Sequence, residues 1–124
     1  MPQLDLIDDT WVVATPSAAA GLIADRSRWA DWWPGLRLAV SQDRGRLGIR
    51  WRVTGAYPGS MEIWIEPSAD GCVLHYYLRV DRVAGPLSDR AAAREIRRRR
   101  IAGRRALWAI KDELERGRSP GEPA

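Results

Sequence analysis

The chain has 124 residues, 45% of them hydrophobic and 29% charged, which fits one globular domain and excludes an intrinsically disordered chain. We expect that domain over residues 1–118 and a disordered tail over residues 119–124. The net charge of +4 is uneven, because residues 1–85 carry nine basic and ten acidic side chains whereas residues 86–124 carry eleven and six. With Cys72 as the only cysteine no intrachain disulfide can form, and without a signal-like or membrane-spanning apolar run the expected location is cytoplasmic.

The N-terminal third predicts a strand followed by two short helices. β-Branched and aromatic residues predict the strand within residues 4–14. Thr15 and Pro16 supply an N-cap and a proline in the first helical turn, so a helix is expected from Pro16 to about residue 24. A second short helix is expected over residues 25–31, ended by the Trp-Pro-Gly sequence at 33–35.

Between residues 36 and 80, apolar and polar residues alternate in four segments, the pattern of half-buried strands. Turns near residues 42–45, 55–59 and 67–70 would join these strands into an antiparallel meander with one apolar face. The expected opposite pairs are Val40 with Leu47, Val53 with Met61, and Ile65 with Cys72.

The last predicted element is a helix of about thirty residues, some 45 Å long, that begins at Ser88 or Asp89 and ends near Arg116. Gly103 lies in its apolar stripe and costs about 1 kcal/mol of helix propensity, which predicts a close approach to the sheet there. The stripe comprises Ile96, Gly103, Leu107, Ile110 and Leu114, with Ile101 and Trp108 to the side. The fold class is therefore α+β.

Residues 14–35, ATPSAAAGLIADRSRWADWWPG, combine an Ala-rich helix with Asp25, Trp29, Trp32 and a Trp33-Pro34 pair. This pattern resembles the opening of the START-like (SRPBCC) superfamily, which includes polyketide cyclases and dehydrases and lipid-transfer domains. The resemblance implies a helix-grip fold, in which an antiparallel sheet wraps around a long C-terminal helix and encloses an apolar ligand cavity. Such proteins usually have seven strands, whereas about five are predicted here, so the resemblance implies a small variant with a smaller or more open cavity.

With this resemblance, the inward-facing residues become a predicted ligand site, although the same residues would otherwise be interpreted as ordinary core. Tyr76 is the polar group expected inside, and Trp33 is expected at the mouth of the cavity. The predicted ligand-binding residues are Trp29, Trp33, Leu38, Ile49, Trp51, Met61, Ile63, Leu74, Tyr76, Leu78, Leu107 and Ile110.

The sequence offers little visible catalytic machinery. His75, the only histidine, is expected on the outer face of the sheet beside Glu62, as a solvated pair rather than a base. There is no spacing typical of metal ligands, no serine with a partnered base and no phosphate-binding glycine loop, so no metal or cofactor is predicted. Tyr76 is the one catalytic candidate.

Three functions follow from these observations. The favoured one is sequestration or transfer of a small hydrophobic, lipid-like or polyketide-like ligand. The first alternative is a cyclase or dehydrase that uses Tyr76 for proton transfer. The second is an interaction protein whose cavity is filled by its own side chains and whose arginine-rich helix binds an anionic partner.

Two surfaces predict partners. The arginine run at 97–100 is interpreted first as a solvated helix face paired with nearby carboxylates, and a peripheral contact with an anionic membrane is the alternative. Nucleic acid is less favoured, because no aromatic residues are interleaved with the arginines. The membrane alternative uses Arg97, Arg98, Arg100 and Arg104. On the outer sheet face, a homodimer contact is expected through Trp64, Val73 and Tyr77.

Overall fold

The computed structural model describes residues 4–85 and 87–116, and the predicted tail at 119–124 lies outside the described residues. It confirms the α+β helix-grip arrangement: five strands, short helices after the first strand and a long C-terminal helix. In chain order the elements are β1 (Leu4–Val12), α1 (Pro16–Ile23), a 3-10 turn (Arg26–Arg28), α2 (Trp29–Trp32), β2 (Arg37–Asp43), a second 3-10 turn (Gly45–Leu47), β3 (Gly48–Thr54), β4 (Gly59–Ser68), β5 (Gly71–Val80) and α3 (Asp89–Glu115).

Short polar side chains start the helices where the sequence places them. The Thr15 hydroxyl accepts a hydrogen bond from the Ala18 backbone N–H at 3.1 Å, and Ser88 accepts one from Ala91 at 3.2 Å. Each cap satisfies a backbone donor that the first helical turn leaves free, a contribution of about 1 kcal/mol. Asp25 caps the following 3-10 turn through the Ser27 N–H at 3.0 Å. The segment predicted as one helix over 25–31 is therefore a 3-10 turn that continues into α2.

The strands form one antiparallel sheet in the order β1-β5-β4-β3-β2. The faces of the meander are as predicted, but the three predicted registers are wrong. The observed pairs are Val40 with Trp51, Val53 with Gly59, and Ile65 with Leu74. At these three pairs the partner is displaced by two or four residues, so the paired residues keep their faces. Leu47 is the exception, because it lies in the second 3-10 turn and is 48% exposed instead of facing the core. The β4–β5 turn is tighter than expected, since Ser68 pairs with Gly71. The β2–β3 connection is longer than expected, since it contains the second 3-10 turn and a bulge follows Val40.

α3 packs along β1 and across the concave face of the sheet. Its residues Leu107 and Ile110 are fully buried between the helix and the sheet. The helix also satisfies backbone groups at the end of the edge strand β1. Lys111 Nζ donates to the Trp11 carbonyl at 2.8 Å, and Glu115 accepts a hydrogen bond from the Val13 N–H at 2.8 Å. These bonds protect an edge that would otherwise be open to pairing with another strand.

Gly103 is the closest point of approach between α3 and the sheet. A Cβ at this position would lie 2.7 Å from Cε2 of Tyr76, closer than two carbon atoms tolerate. The helix therefore lies against the tyrosine ring because residue 103 has no side chain, as the sequence predicted.

We expect Gly103→Ala to destabilise the protein although alanine is the better helix former, since the clash costs about 1–3 kcal/mol and propensity returns about 1 kcal/mol. Gly21→Ala in α1 is the matched control: its Cβ would meet nothing within 4 Å, so it should gain about 0.5–1 kcal/mol. Urea unfolding of both variants measures the difference. Equal stabilisation by both changes would contradict the close contact.

Candidate functional site

Four aromatic rings meet in the interior between the sheet and the helices. Trp51 of β3 lies 5.5 Å from Trp29 and 5.3 Å from Trp33, measured between ring centroids. Trp33 also stacks on Tyr76 of β5, with centroids 6.4 Å apart and an interplanar angle of 11°. We call Trp29, Trp33, Trp51 and Tyr76 the aromatic cluster. Such edge and stacked pairs add about 0.5–1.5 kcal/mol each beyond the burial of their area.

Two hydrogen-bond donors in the aromatic cluster have no acceptor. Trp29 donates its indole N–H to the Ile23 carbonyl at 2.8 Å. By contrast, Nε1 of Trp33 and Nε1 of Trp51 are buried and make no hydrogen bond to any of the residues described. A buried donor without an acceptor costs about 1–3 kcal/mol, so two of them at one place are unusual for an interior that serves packing alone.

The Tyr76 hydroxyl lies in the same region. Burial raises the pKa of this phenol well above its ordinary value, Asp8 raises it further, and the positive charge of Arg99 opposes the shift. The Trp33 indole N–H lies close enough to lower the same pKa slightly, although its geometry is not that of a hydrogen bond. Tyr76 is therefore neutral across the physiological range and able to donate a hydrogen bond.

Charged side chains border this region on the α3 side. Asp8 is paired with Tyr76 in the β1–β5 register and accepts a hydrogen bond from Arg104 Nη2 at 2.6 Å. Glu95 is buried and accepts hydrogen bonds from Tyr57 Oη at 3.1 Å and Arg99 Nε at 3.3 Å. The buried Glu95 and the half-buried Asp8 thus each have a cationic partner, as removal of charge from water requires.

The predicted ligand-binding residues converge, but they fill the space between them. All twelve are buried except Leu38, which is half-buried and packs on the core. Trp33 is only 2% exposed, so in this structure it lies in the interior and not at an opening. The expected mouth is absent there because α2 turns this tryptophan inward onto Trp51 and Tyr76.

Two surface grooves lie outside this interior. The outer groove, of about 750 Å³, crosses the convex sheet face and is lined by Arg44, Arg50, Glu62, Trp64, Tyr77 and Arg79, among others. The side groove, of about 390 Å³, lies between β1 and α3 and is lined by Ile7, Asp8, Arg100, Ile101, Arg104, Arg105 and Trp108.

His75 lies on the outer face, but its predicted partner is wrong. It lies opposite Trp64, stacks on that ring with centroids 4.6 Å apart, and hydrogen-bonds to Glu66 at 2.9 Å. Glu62 is instead bound by Arg44 and Arg50. The two-residue register shift between β4 and β5 accounts for the exchange. His75 is thus remote from the aromatic cluster.

Sequence reasoning missed Asp8, Glu95 and Arg99. The alternation of β1 places Asp8 on the same face as Leu4 and Leu6, and a charged residue at an inward position could have marked it. Glu95 and Arg99 precede Gly103 at intervals of four, on the stripe of α3 that faces the sheet.

No group of three or more metal-ligating side chains is found within residues 4–85 and 87–116. Over the same residues, no helix has the length and hydrophobicity needed to cross a bilayer.

No family model and no curated protein matches the chain, whereas solved structures do. A START superfamily protein from Mycobacterium smegmatis has a TM-score of 0.68 at 12% identity, over 89% of this chain and 98% of that chain. The Aha1 dimer from Colwellia psychrerythraea has a TM-score of 0.63 at 11% identity, over 94% and 99%. The di-domain ARO/CYC StfQ from the steffimycin biosynthetic pathway has a TM-score of 0.57 at 14% identity, over 90% and 51%. The fold is therefore START-like, which confirms the resemblance at the level of the fold.

Alkaline pH should destabilise the protein through its buried phenol and thiol. Burial raises the pKa of Cys72 from 9.0 to about 11 and raises the pKa of Tyr76 well above its ordinary value. The folded state therefore holds protons that the unfolded chain releases. Their contribution is complete below pH 9 and is lost as the pH rises, by about 2 kcal/mol for the thiol at pH 11. The free energy of unfolding measured against pH should fall less steeply in Cys72→Ala and Tyr76→Phe than in wild type. Identical slopes would contradict the burial of both groups.

Proposed function

We propose that this protein binds a small, mostly apolar molecule carrying an acceptor oxygen, in the interior between the sheet and α3. The observation that supports this most is the pair of unpartnered indole donors, on Trp33 and Trp51, beside the neutral Tyr76 hydroxyl. A carbonyl or hydroxyl oxygen of a ligand would accept these hydrogen bonds and remove the desolvation cost that the free protein carries.

The chemistry around the donors agrees with such a ligand. Apolar side chains with a few placed polar groups are typical of small-molecule sites. Because the aromatic cluster fills the interior, binding requires a ring to move. Trp33 is the ring we expect to move, since it ends the short helix α2 (Trp29–Trp32) and is followed by Pro34 and by Gly35 at a φ of 83°. A small-molecule ligand also agrees with one structural neighbour, the di-domain ARO/CYC StfQ from the steffimycin biosynthetic pathway.

The protonation of Tyr76 and the ion pair of Asp8 favour sequestration or transfer over catalysis. A cyclase or dehydrase needs a base or acid that can exchange a proton near neutral pH. The pKa of Tyr76 is raised, and the carboxylate opposite it in the sheet, on Asp8, is already engaged by Arg104. The enzyme alternative is kept because Tyr76 could still act as a proton donor to a bound carbonyl.

Binding should depend on the indole donors and on the ligand oxygen together. We expect Trp33→Phe and Trp51→Phe each to weaken binding of 1-tetralone about fivefold, the value of about 1 kcal/mol for one hydrogen bond. Binding of tetralin, which lacks the oxygen, should change less than twofold. Tryptophan fluorescence titration measures both. Trp108→Phe on the outer side of α3 is the matched control and should leave both affinities unchanged.

Tyr76→Phe separates the two candidate functions. In a binding protein this variant should keep most of its affinity, with a loss of about fivefold for one hydrogen bond. In an enzyme that uses the hydroxyl, turnover of a polyketide-like substrate should collapse while affinity persists.

Native mass spectrometry of freshly purified protein would also report any ligand retained and the number of subunits. If fluorescence does not respond to a panel of fatty acids and aromatic polyketides, and no ligand is retained, the proposal is wrong.

The outer sheet face remains our proposed homodimer contact. Trp64, Val73 and Tyr77 are half-buried there, and one structural neighbour was solved as a dimer. The subunit count from native mass spectrometry, repeated on Tyr77→Glu, tests this contact.

A further inference from the structure

The side groove gathers exposed apolar side chains that the fold does not use. Ile7 is 62% exposed, Ile101 49% and Trp108 54%, and all three line the same groove between β1 and α3. Ile101 and Trp108 lie seven residues apart on α3, two turns along one helix face. Large apolar residues scattered singly on a surface need no explanation, but a group of three in one groove marks a contact site.

Arginines surround these apolar side chains. Arg100, Arg104 and Arg105 line the groove. Arg104 binds Asp8 and lies 5.7 Å over the Trp108 ring. Neither Arg100 nor Arg105 makes an ion pair with the part of the chain that the structure describes, and Asp8, the single acidic side chain in the groove, is already paired. The groove is therefore apolar in the middle and positively charged at its rim.

We propose that the side groove docks this protein on the surface of an anionic lipid bilayer. Tryptophan and isoleucine would enter the boundary between headgroups and acyl chains, and the guanidinium groups would remain at the level of the lipid phosphates. Each arginine near such a surface contributes through the negative potential of the lipids, and the contribution decreases with salt.

Charge favours a bilayer over a second copy of this chain. A two-fold symmetric contact would place this surface against itself, so Arg100 and Arg105 would meet a surface whose one lining carboxylate, on Asp8, is already paired with Arg104. Nucleic acid is disfavoured as well, because the phosphate backbone would leave Ile7, Ile101 and Trp108 without apolar partners.

The test is sedimentation of the full chain with vesicles of phosphatidylcholine, with and without phosphatidylglycerol. We expect binding only with phosphatidylglycerol, weakening at high salt. The double variant R100Q/R105Q should bind about 25-fold more weakly, taking about fivefold per arginine. Ile101→Ser and Trp108→Ser should each lower the affinity about tenfold.

Matched controls separate a specific surface from general charge. Arg46→Gln removes an exposed arginine, and Val83→Ser an exposed apolar residue, both outside the side groove, and neither should change vesicle binding. Circular dichroism confirms that the variants fold. The proposal is overturned if wild type binds vesicles equally well with and without phosphatidylglycerol, if the control variants lose as much binding as the groove variants, or if only polyglutamate or DNA is bound.

The tetralone titration tests the interior site and not the side groove. Its failure and the failure of this proposal are therefore separate results.

Discussion

The contact between Gly103 and the ring of Tyr76 sets the distance between α3 and the sheet. Any larger residue at position 103 would place a carbon atom at 2.7 Å from that ring, so the helix would have to lift away. At the observed distance, Leu107 and Ile110 reach the apolar face of the sheet and are fully buried. Because α3 lies this close to the sheet, the space between them holds the aromatic rings and little else. The predicted ligand residues therefore pack on one another.

The interior nevertheless differs from an ordinary core in its polar groups. Most buried donors and acceptors in proteins have partners, and here the Trp29 indole, Glu95 and Asp8 all do. The indoles of Trp33 and Trp51 do not. Sites that bind small molecules commonly carry such local costs when empty, because the same donors are satisfied when a ligand arrives. The proposed binding function depends on this contrast.

α3 has different chemistry on two of its faces. The face that carries Glu95, Arg99 and Gly103 turns inward, where the carboxylate and guanidinium groups pair with one another and with Tyr57. The face that carries Ile101 and Trp108 turns outward. Arginines occur on both faces: Arg99 pairs with the buried Glu95, whereas Arg100 and Arg105 of the side groove are exposed and make no ion pair with the described residues. The inward arginines stabilise the fold, so the basic character of the segment overstates the charge available for binding.

Local sequence features determined where the helices begin and which face most strand residues occupy. Caps at Thr15 and Ser88 placed helix starts, and alternation with period two assigned the residues within the strands to their faces, even though the paired residues were displaced by two or four positions. Leu47 was assigned wrongly because it lies in a turn and not in a strand. Only the tertiary structure decided which residues are neighbours. The partner of His75 depends on the turn between β4 and β5, and the burial of Trp33 depends on its packing against Trp51 and Tyr76. Asp8 meets Arg104 across 96 residues of sequence, a separation that no local pattern can bridge, because such pairs form only when the chain closes on itself.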